Sequence, residues 1–394
     1  MMTPVMPTYA RYDVAFARGE GVYLWDTDGR RYLDFGAGIA VAGLGHCHPH
    51  LVKALGDQAA TLWHTSNLYE IPGQTRLAER LVAATFADTV FFNNSGAEAV
   101  EMGLKMIRKY QDHVGHPERF RVITIEGAFH GRSLATIAAG RQEKHTAGFG
   151  PLTDGFDQVA YGNLNEMRAA VGPETGGILA EPVQGEGGIR PMPEGYLQGL
   201  RDISDEFGLL LMYDEVQCGV GRTGHLYAHQ GPGVAPDILA SAKALGGGFP
   251  IGACLATAKV AEAMTAGSHG STFGGNPLAM AVANAVLDVV LAEGFLEGVR
   301  ATAETLRGRL EELVARHPDL FEGIRGEGLM LGLKCIPEGA NGDLVKAAIA
   351  HGLLTVPAGD NVVRMVPPLI IDEGHIDQAV AILETAATDV APGG

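Results

Sequence analysis

The chain has 394 residues, of which 46% are hydrophobic, enough apolar material for the cores of two globular domains. Its formal charge of −17 repels a phosphate backbone or an anionic membrane face, so we expect neither nucleic acid nor membrane as a partner. The four cysteines are widely spaced and form no CxxC pair, which favours the reducing cytoplasm. No segment resembles a signal peptide, and no run approaches the about 18 apolar residues of a membrane span.

The first part of the chain is rich in glycine and has strand-like patches. Asp28-Gly29 lies between two aromatic runs, which predicts a short hairpin. A helix is predicted to start at Pro49.

Between residues 90 and 257, short apolar runs alternate with amphipathic stretches. This alternation is typical of buried parallel strands joined by helices, and Tyr196–Phe207 is one such predicted helix. We therefore predict an α/β fold with a mostly parallel central sheet. The predicted strands are TVFFN, RVITI, GGILAEP, LLLMYDE, DILASA and IGACLAT.

After Pro277 the pattern changes to long helical stretches, followed by strand-like runs near GLMLGL and NVVRMVPPL. These features predict a second, smaller α+β domain. The expected organisation is an N-terminal segment, 1–48, packing with the small domain, a large domain, 49–277, and the small domain, 278–394.

Lys243 is the only charged residue between Asp237 and Lys259, at the end of a predicted strand. Burial disfavours an ammonium group, and a neutral amine is the form that attacks a carbonyl. Taken alone, a lysine whose stem lies along apolar surface is the commoner explanation. Other residues make the catalytic interpretation the better one.

Asp214 follows the apolar run of a neighbouring predicted strand. Ligands of open α/β sheets bind outside such strand ends. A carboxylate there could pair with a protonated pyridine nitrogen and keep the ring an electron sink. The alternative, the acidic residue of a nucleotide-hydrolysing P-loop protein, requires a GxxxxGK(S/T) loop, and the sequence has none.

Two turns offer further candidates. Ser95, Gly96 and Ala97 open a predicted helix, whose free N–H groups suit a phosphate, although a serine there is often only a helix cap. Phe129 follows another strand and could stack on a planar cofactor. Arg132 could hold a carboxylate in a bidentate contact, although a surface ion pair is the commoner role of an arginine.

Two rival sites are weak. The loop GVGRTG, residues 219–224, matches GxGxxG after a strand, but the glycines and prolines that follow leave no helix to receive a dinucleotide. His46, Cys47, His48 and His50 are crowded, yet their spacing matches no closed zinc site, so no metal is expected.

Over nearly its whole length, the sequence resembles the class III aminotransferases of fold type I, and among them the branch that acts on acetylornithine. The order and spacing of many short motifs carry this resemblance. They are GHCHPHLVKAL, HTSNLY, NNSGAEA, FHGRS, AEPVQGEGG, YDEVQCGVGRTG, KALGGGFPIGA, STFGGNP and VRMVPPL.

The resemblance implies pyridoxal 5'-phosphate (PLP) as the cofactor and assigns a role to each matching position. Lys243 corresponds to the lysine that carries the cofactor, and Asp214 to the partner of its pyridine nitrogen. The other implied contacts of the cofactor are Gly96 and Ala97 at the phosphate, Gln217 at the phenolic oxygen, Val216 and Phe129 on the two ring faces, and Thr272 reaching the partner subunit's phosphate. A homodimer with shared active sites is therefore implied.

The resemblance also implies the substrates. Arg132 and Ser271 match positions that contact the substrate, and Arg364 matches a second arginine that binds a carboxylate. Glu186 matches the glutamate that pairs with this arginine when no second carboxylate is present. The implied reaction is transamination between N-acetylornithine and 2-oxoglutarate, a step of arginine biosynthesis.

Alternatives remain open at this point. Aminotransferases for ornithine, succinylornithine, succinyl-diaminopimelate, 4-aminobutyrate or carrier-linked lysine share the fold. An aminomutase or a non-catalytic homologue belongs to a different class of function. The acyl group is read by side chains that sequence alone does not place.

Overall fold

A computed structural model describes residues 4–390. Its N-terminal part forms an antiparallel sheet and three helices. The hairpin at Asp28-Gly29 is confirmed, because the two strands beside it pair in antiparallel register and Gly29 has a φ of 83°. The elements are β1 (Phe16–Glu20), β2 (Tyr23–Asp26), β3 (Arg31–Asp34), α1 (Ala37–Ala40), α2 (Pro49–Ala59) and α3 (Pro72–Ala84).

The middle of the chain forms the large central sheet. Its elements are β4 (Thr89–Asn93), α4 (Gly96–His113), β5 (Arg121–Ile125), α5 (Leu134–Gly140), α6 (Glu143–Thr146), β6 (Phe156–Val159), α7 (Leu164–Ala170), β7 (Thr175–Ala180), β8 (Val183–Gln184), β9 (Arg190–Pro191), α8 (Tyr196–Phe207), β10 (Leu210–Asp214), β11 (Ile238–Ala242), β12 (Gly252–Ala256) and α9 (Ala258–Ala261).

The seven strands of this sheet lie in the order β4-β12-β11-β10-β7-β5-β6. All pairs from β11 to β6 are parallel, whereas β12 runs antiparallel to both of its neighbours. The six predicted strands and the helix Tyr196–Phe207 are confirmed. Sequence patterning missed β6, because this edge strand reads FDQV, with two polar residues between its apolar ends.

The last part of the chain contains the second sheet, with strand order β13-β14-β17-β16. The predicted α+β character is confirmed. Its elements are α10 (Pro277–Val290), α11 (Phe295–Arg316), β13 (Phe321–Glu327), β14 (Met330–Cys335), α12 (Ala340–Ala350), β15 (Leu353–Leu354), β16 (Val356–Ala358), β17 (Val362–Met365) and α13 (Glu373–Val390).

The cores refine the predicted domain limits. Leu33 and Phe35 pack in one apolar cluster with α11, α12 and α13, and β3 pairs with β15, so the N-terminal segment does contact the C-terminal part. The helix α10, however, packs against α2 and α3 in the core of the large sheet. The apolar face of α10 is therefore buried with the large sheet, although this helix follows the predicted 277/278 boundary.

No single helix among residues 4–390 is long and apolar enough to cross a membrane. The helices α10 and α11 pass such a test only when they are joined, across a bend of 70°. Nine residues of α10 that are apolar lie in the protein core; they are Pro277, Ala279, Met280, Val282, Ala283, Ala285, Val286, Leu287 and Val290.

Candidate active site

A cavity of about 350 Å³ lies where β10 and β11 end and α4 begins. Eight residues singled out in the sequence line it: Ser95, Gly96, Ala97, Phe129, Asp214, Val216, Gln217 and Lys243. They come from four separate segments of the chain. The parallel pairing of β10 and β11 explains much of this convergence, because it brings the carboxyl ends of the two strands to the same edge.

Lys243 directly follows β11 and has a φ of 45°, a left-handed conformation that is uncommon for a lysine. Its side chain makes no hydrogen bond or salt bridge within the described part of the chain. Burial lowers the pKa of Lys243, and the charge of Arg364 lowers it further, whereas nearby carboxylates oppose both effects. The site therefore favours the neutral amine that a carbonyl-bearing ligand requires.

The floor of the cavity, defined by Asp214, His130 and Glu181, is a buried group of titratable side chains. The Oδ2 of Asp214 lies 2.8 Å from the Nδ1 of His130, and its Oδ1 accepts the N–H of Val216. Burial alone would lower the pKa of His130, but the hydrogen bond and charge of Asp214 and the charge of Glu181 raise it. Asp214 is thus held next to an imidazole that tends to carry a positive charge.

Glu181 joins two loops behind this pair. Its Oε1 accepts the N–H of Phe129 at 2.8 Å, and its Oε2 accepts the N–H of Gly185 at 3.3 Å. Burial raises the pKa of Glu181 to about 7, although the charge of His130 opposes the rise. A single buried carboxyl therefore connects the aromatic wall of the cavity with the loop that leads to Glu186.

The start of α4 forms the opposite wall. The Oγ of Ser95 accepts the N–H of Glu98, so this serine does cap the helix, as the alternative interpretation of the turn expected. The first N–H groups of the helix, from Gly96 onward, have no intrahelical partner and can face an anion. A Cβ on Gly96 would lie 2.7 Å from a methyl carbon of Val216, so glycine permits this close approach.

Glu186, Arg364 and Arg132 do not line the cavity, but Arg364 and Arg132 contact residues that do, and we call these three the rim. Nη1 of Arg364 donates to Oε1 of Glu186 and, at 2.9 Å, to Oε1 of Gln217. Burial alone would raise the pKa of Glu186, but the charge and hydrogen bond of Arg364 lower it. Arg132 is exposed and lies over the ring of Phe129, 5.6 Å from its centroid.

Ser271 and Thr272 are not brought into this cavity. The Oγ of Ser271 accepts hydrogen bonds from the N–H of Gly274 at 2.9 Å and from Nδ2 of Asn94 at 3.2 Å. Because Asn94 itself lines the cavity, Ser271 stands just behind the wall. Thr272 is exposed, and its side chain has no hydrogen bond within residues 4–390.

Sequence reasoning assigned no role to His130 or Glu181. A signal was present for both, because each belongs to a quoted motif, FHGRS or AEPVQGEGG, that follows a strand of the central sheet. The missing information was that His130 reaches Asp214 and that Glu181 reaches the N–H of Phe129 beneath the cavity. These contacts depend on the parallel pairing of β5, β7 and β10.

The residues of the two rival sites, the histidine cluster and the GVGRTG loop, make other contacts in the structure. His46 lies 2.7 Å from Asp34, and His50 lies 2.9 Å from Asp288, so these histidines contact separate carboxylates. The GVGRTG loop continues as turns and a short 3₁₀ helix, Ala228–Gln230, with no α-helix opening from it. Neither segment has the geometry that its rival function requires.

The cavity fits PLP. The Nζ of Lys243 is unpaired and could carry the aldehyde carbon, Asp214 could face the pyridine nitrogen, and the N-terminus of α4 could hold the phosphate. The volume of about 350 Å³ is in the range of small-molecule sites. Nε2 of His130 is buried without a partner in the described chain, so this side of the floor has polar capacity left for a ligand.

Comparison with known proteins agrees with this geometry. Residues 6–387 match the family model for class III aminotransferases. The acetylornithine aminotransferase of Brucella melitensis is 59% identical over 97% of this chain and 94% of its own length.

Two crystal structures have the same fold. One is the N-acetylornithine aminotransferase of Stenotrophomonas maltophilia, with a TM-score of 0.85, 39% identity and coverage of 97% of each chain. The other is the ornithine aminotransferase of Toxoplasma gondii, with a TM-score of 0.94, 32% identity and coverage of 98% of this chain and 93% of that chain. The chain belongs to the class III aminotransferase family, and it is an aminotransferase of the fold-type I architecture.

Proposed function

We propose that this enzyme transfers the terminal amino group of N-acetylornithine to 2-oxoglutarate, giving N-acetylglutamate 5-semialdehyde and glutamate, with PLP as cofactor. The observation that carries the proposal is the contact of Arg364 with Glu186 at the rim of the cavity that Lys243 lines. Relatives named for acetylornithine, at 59% identity, support the same donor. The reaction belongs to arginine biosynthesis.

The floor, together with Lys243, Phe129 and Val216 around it, supplies the chemistry common to all substrates. When bound, PLP supplies an electron sink that stabilises negative charge at the substrate carbon that loses its proton. The Nζ of Lys243, whose pKa burial lowers, takes the proton from that carbon and returns it during transfer. Asp214 keeps a positive charge on the ring nitrogen, and Phe129 and Val216 keep water from the ring faces.

The rim chooses between the substrates. The donor has one carboxylate, which Arg132 binds, and a neutral acetamide. The acceptor has two carboxylates, so it needs a second cation. Glu186 neutralises Arg364 while the donor is bound and leaves it when the second carboxylate of 2-oxoglutarate arrives, which avoids an unpaired buried charge.

We further propose a homodimer with shared active sites. Thr272 is exposed and outside the cavity of its own chain, as expected for a residue that reaches the partner subunit's cofactor phosphate. Large apolar side chains, Trp63, Leu68, Tyr69 and Phe273, are also exposed. Light scattering tests the dimer. A mixture of Lys243→Ala and Thr272→Ala subunits should regain part of the activity that Thr272→Ala homodimers lack.

Localisation in the cytoplasm remains a prediction from cysteine usage.

The visible absorption spectrum of the purified protein is the first test. We expect a band from the cofactor bound to Lys243, and Lys243→Ala should lose both this band and turnover. Full activity of Lys243→Ala would refute the role of the lysine.

A panel of donors with 2-oxoglutarate then tests the substrate. N-acetylornithine should have the highest kcat/KM. The structural similarity to an ornithine enzyme, with a TM-score of 0.94, makes free ornithine the main competitor. Succinylornithine, 4-aminobutyrate, succinyl-diaminopimelate and carrier-linked lysine complete the panel. A higher kcat/KM for any of them would refute the acetyl-specific assignment, and the aminotransferase assignment would stand.

A further inference from the structure

Arg222, in the GVGRTG loop, is a buried cation that the chemistry above does not use. Only 1% of its surface is exposed, and it has no salt bridge within the described residues. Burial lowers the pKa of Arg222 to about 9. A guanidinium in this position destabilises the fold unless its hydrogen bonds offset the loss of water.

The side-chain hydrogen bonds of Arg222 both lead to residues at the edge of the C-terminal sheet. Its Nη1 donates to the carbonyl of Leu329 at 3.1 Å and to the carbonyl of Pro367. In return, the N–H of Leu329 donates to the carbonyl of Arg222 at 2.9 Å. Gly328 makes this contact possible, because a Cβ there would lie 2.5 Å from the Cα of Thr223.

These two carbonyls lie together at one end of the strand pair that carries Arg364. Leu329 lies in the turn between β13 and β14, and Pro367 lies just beyond β17. The register of β14 and β17 places Gly332 opposite Arg364. In the large domain, Arg222 is close in sequence to Gln217, which accepts a hydrogen bond from Arg364. The GVGRTG loop thus contacts one end of the strand pair that holds Arg364.

We propose that Arg222 is a positioning residue for dicarboxylate recognition: it holds β14 and β17 against the large sheet and so sets the place of Arg364 relative to Lys243. This inference rests on the proposed function of Arg364. A mono-carboxylate donor does not need the free guanidinium of Arg364, so displacement of β17 weakens binding of 2-oxoglutarate more than binding of the donor.

The test uses the holoenzyme and an unreactive dicarboxylate, glutarate, whose Kd is read from the change in the cofactor's visible absorption. Arg222→Met should raise this Kd and the KM for 2-oxoglutarate by roughly tenfold, because a charge-assisted hydrogen bond is lost. The KM for the donor should change by less than about twofold. Arg222→Lys should recover part of the glutarate affinity, since an ammonium can still donate to one carbonyl.

Two further variants separate positioning from general stability. Gly328→Ala changes the other side of the same contact and should produce the same selective loss. Arg201→Met is the matched control, because Arg201 pairs with Asp237 within the large domain. It should lower the melting temperature without changing the ratio of the two KM values.

Equal changes for donor and dicarboxylate, or an unchanged Kd for glutarate, would overturn the inference. If Arg222→Met does not fold, the test rests on Gly328→Ala. An unchanged ratio of the two KM values in that variant would also overturn the inference. Glutarate binding does not depend on which donor the enzyme prefers. A failure of N-acetylornithine in the donor panel therefore refutes the proposed function alone.

Discussion

At the floor of the cavity, Asp214 and His130 are buried and share a 2.8 Å hydrogen bond, whereas at the rim Arg132 is exposed and Glu186 is paired with Arg364. The charges of the floor have partners that no substrate replaces. In the proposed reaction, substrate carboxylates bind Arg132 and take the place of Glu186 beside Arg364. This difference separates the chemistry common to the family from the choice of substrate. Substitutions at the floor should affect every substrate, and substitutions at the rim should change the ratio between substrates.

The largest expected effect is at the floor. Asp214→Asn removes the charge that we propose faces the ring nitrogen of PLP, and we expect kcat to fall by about 10³-fold with every donor and acceptor. Stopped-flow measurement of both half-reactions checks this expectation. Asp237→Asn is the control, since Asp237 pairs with Arg201 outside the cavity and should not change kcat. A loss of kcat with only one substrate would show that Asp214 does not serve every substrate.

At the rim, Glu186→Ala should separate the two half-reactions. It leaves Arg364 without its counter-charge while the donor is bound, so the donor half-reaction should slow by about thirtyfold. The acceptor half-reaction, in which a substrate carboxylate takes the place of Glu186, should change by less than about threefold. If single-turnover experiments show equal losses of rate in the two half-reactions, a substrate carboxylate does not replace Glu186 beside Arg364.

Glu181 allows a test of the floor through pH. Its pKa in the folded protein is raised to about 7 from an ordinary 4.5, so between these values the folded chain holds a proton that the unfolded chain has lost. Stability therefore falls as pH rises through this window. Glu181→Gln should remove roughly 1–2 kcal/mol of this decline in the free energy of unfolding between pH 5 and 8. Denaturant titrations at several pH values measure it, and parallel curves for both proteins would rule out the raised pKa.

The smallest effect is expected at the exposed edge of the rim. Arg132→Lys keeps the charge but loses the planar fork, so the KM of both substrates should rise by about fivefold. Arg168→Lys is a matched control, because Arg168 is an exposed arginine paired with Glu206. Steady-state kinetics with N-acetylornithine and 2-oxoglutarate measure both KM values. An increase for one substrate only would indicate that Arg132 does not bind a carboxylate common to both.

The packing of the two sheets explains which of these residues were accessible to sequence reasoning. Lys243 and Asp214 stand out because each ends an apolar run, and strand ends of a parallel sheet converge at one edge. The resemblance to the family added Glu186 and Arg364. Nothing local marks Arg222 as a contact of the second sheet, and its loop matches a dinucleotide motif in the sequence.

By itself, the sequence determined six of the seven strands of the central sheet, the lysine and aspartate at the ends of two of them, and the helix α4 that begins at the cavity. Apolar periodicity and strand ends record these features locally. Only the tertiary structure decided that α10 packs on the large sheet, that His130 faces Asp214, and that Arg222 spans to Pro367. Contacts of this kind join residues far apart in the chain. They depend on how two separately patterned layers pack together, which the local pattern of neither layer contains.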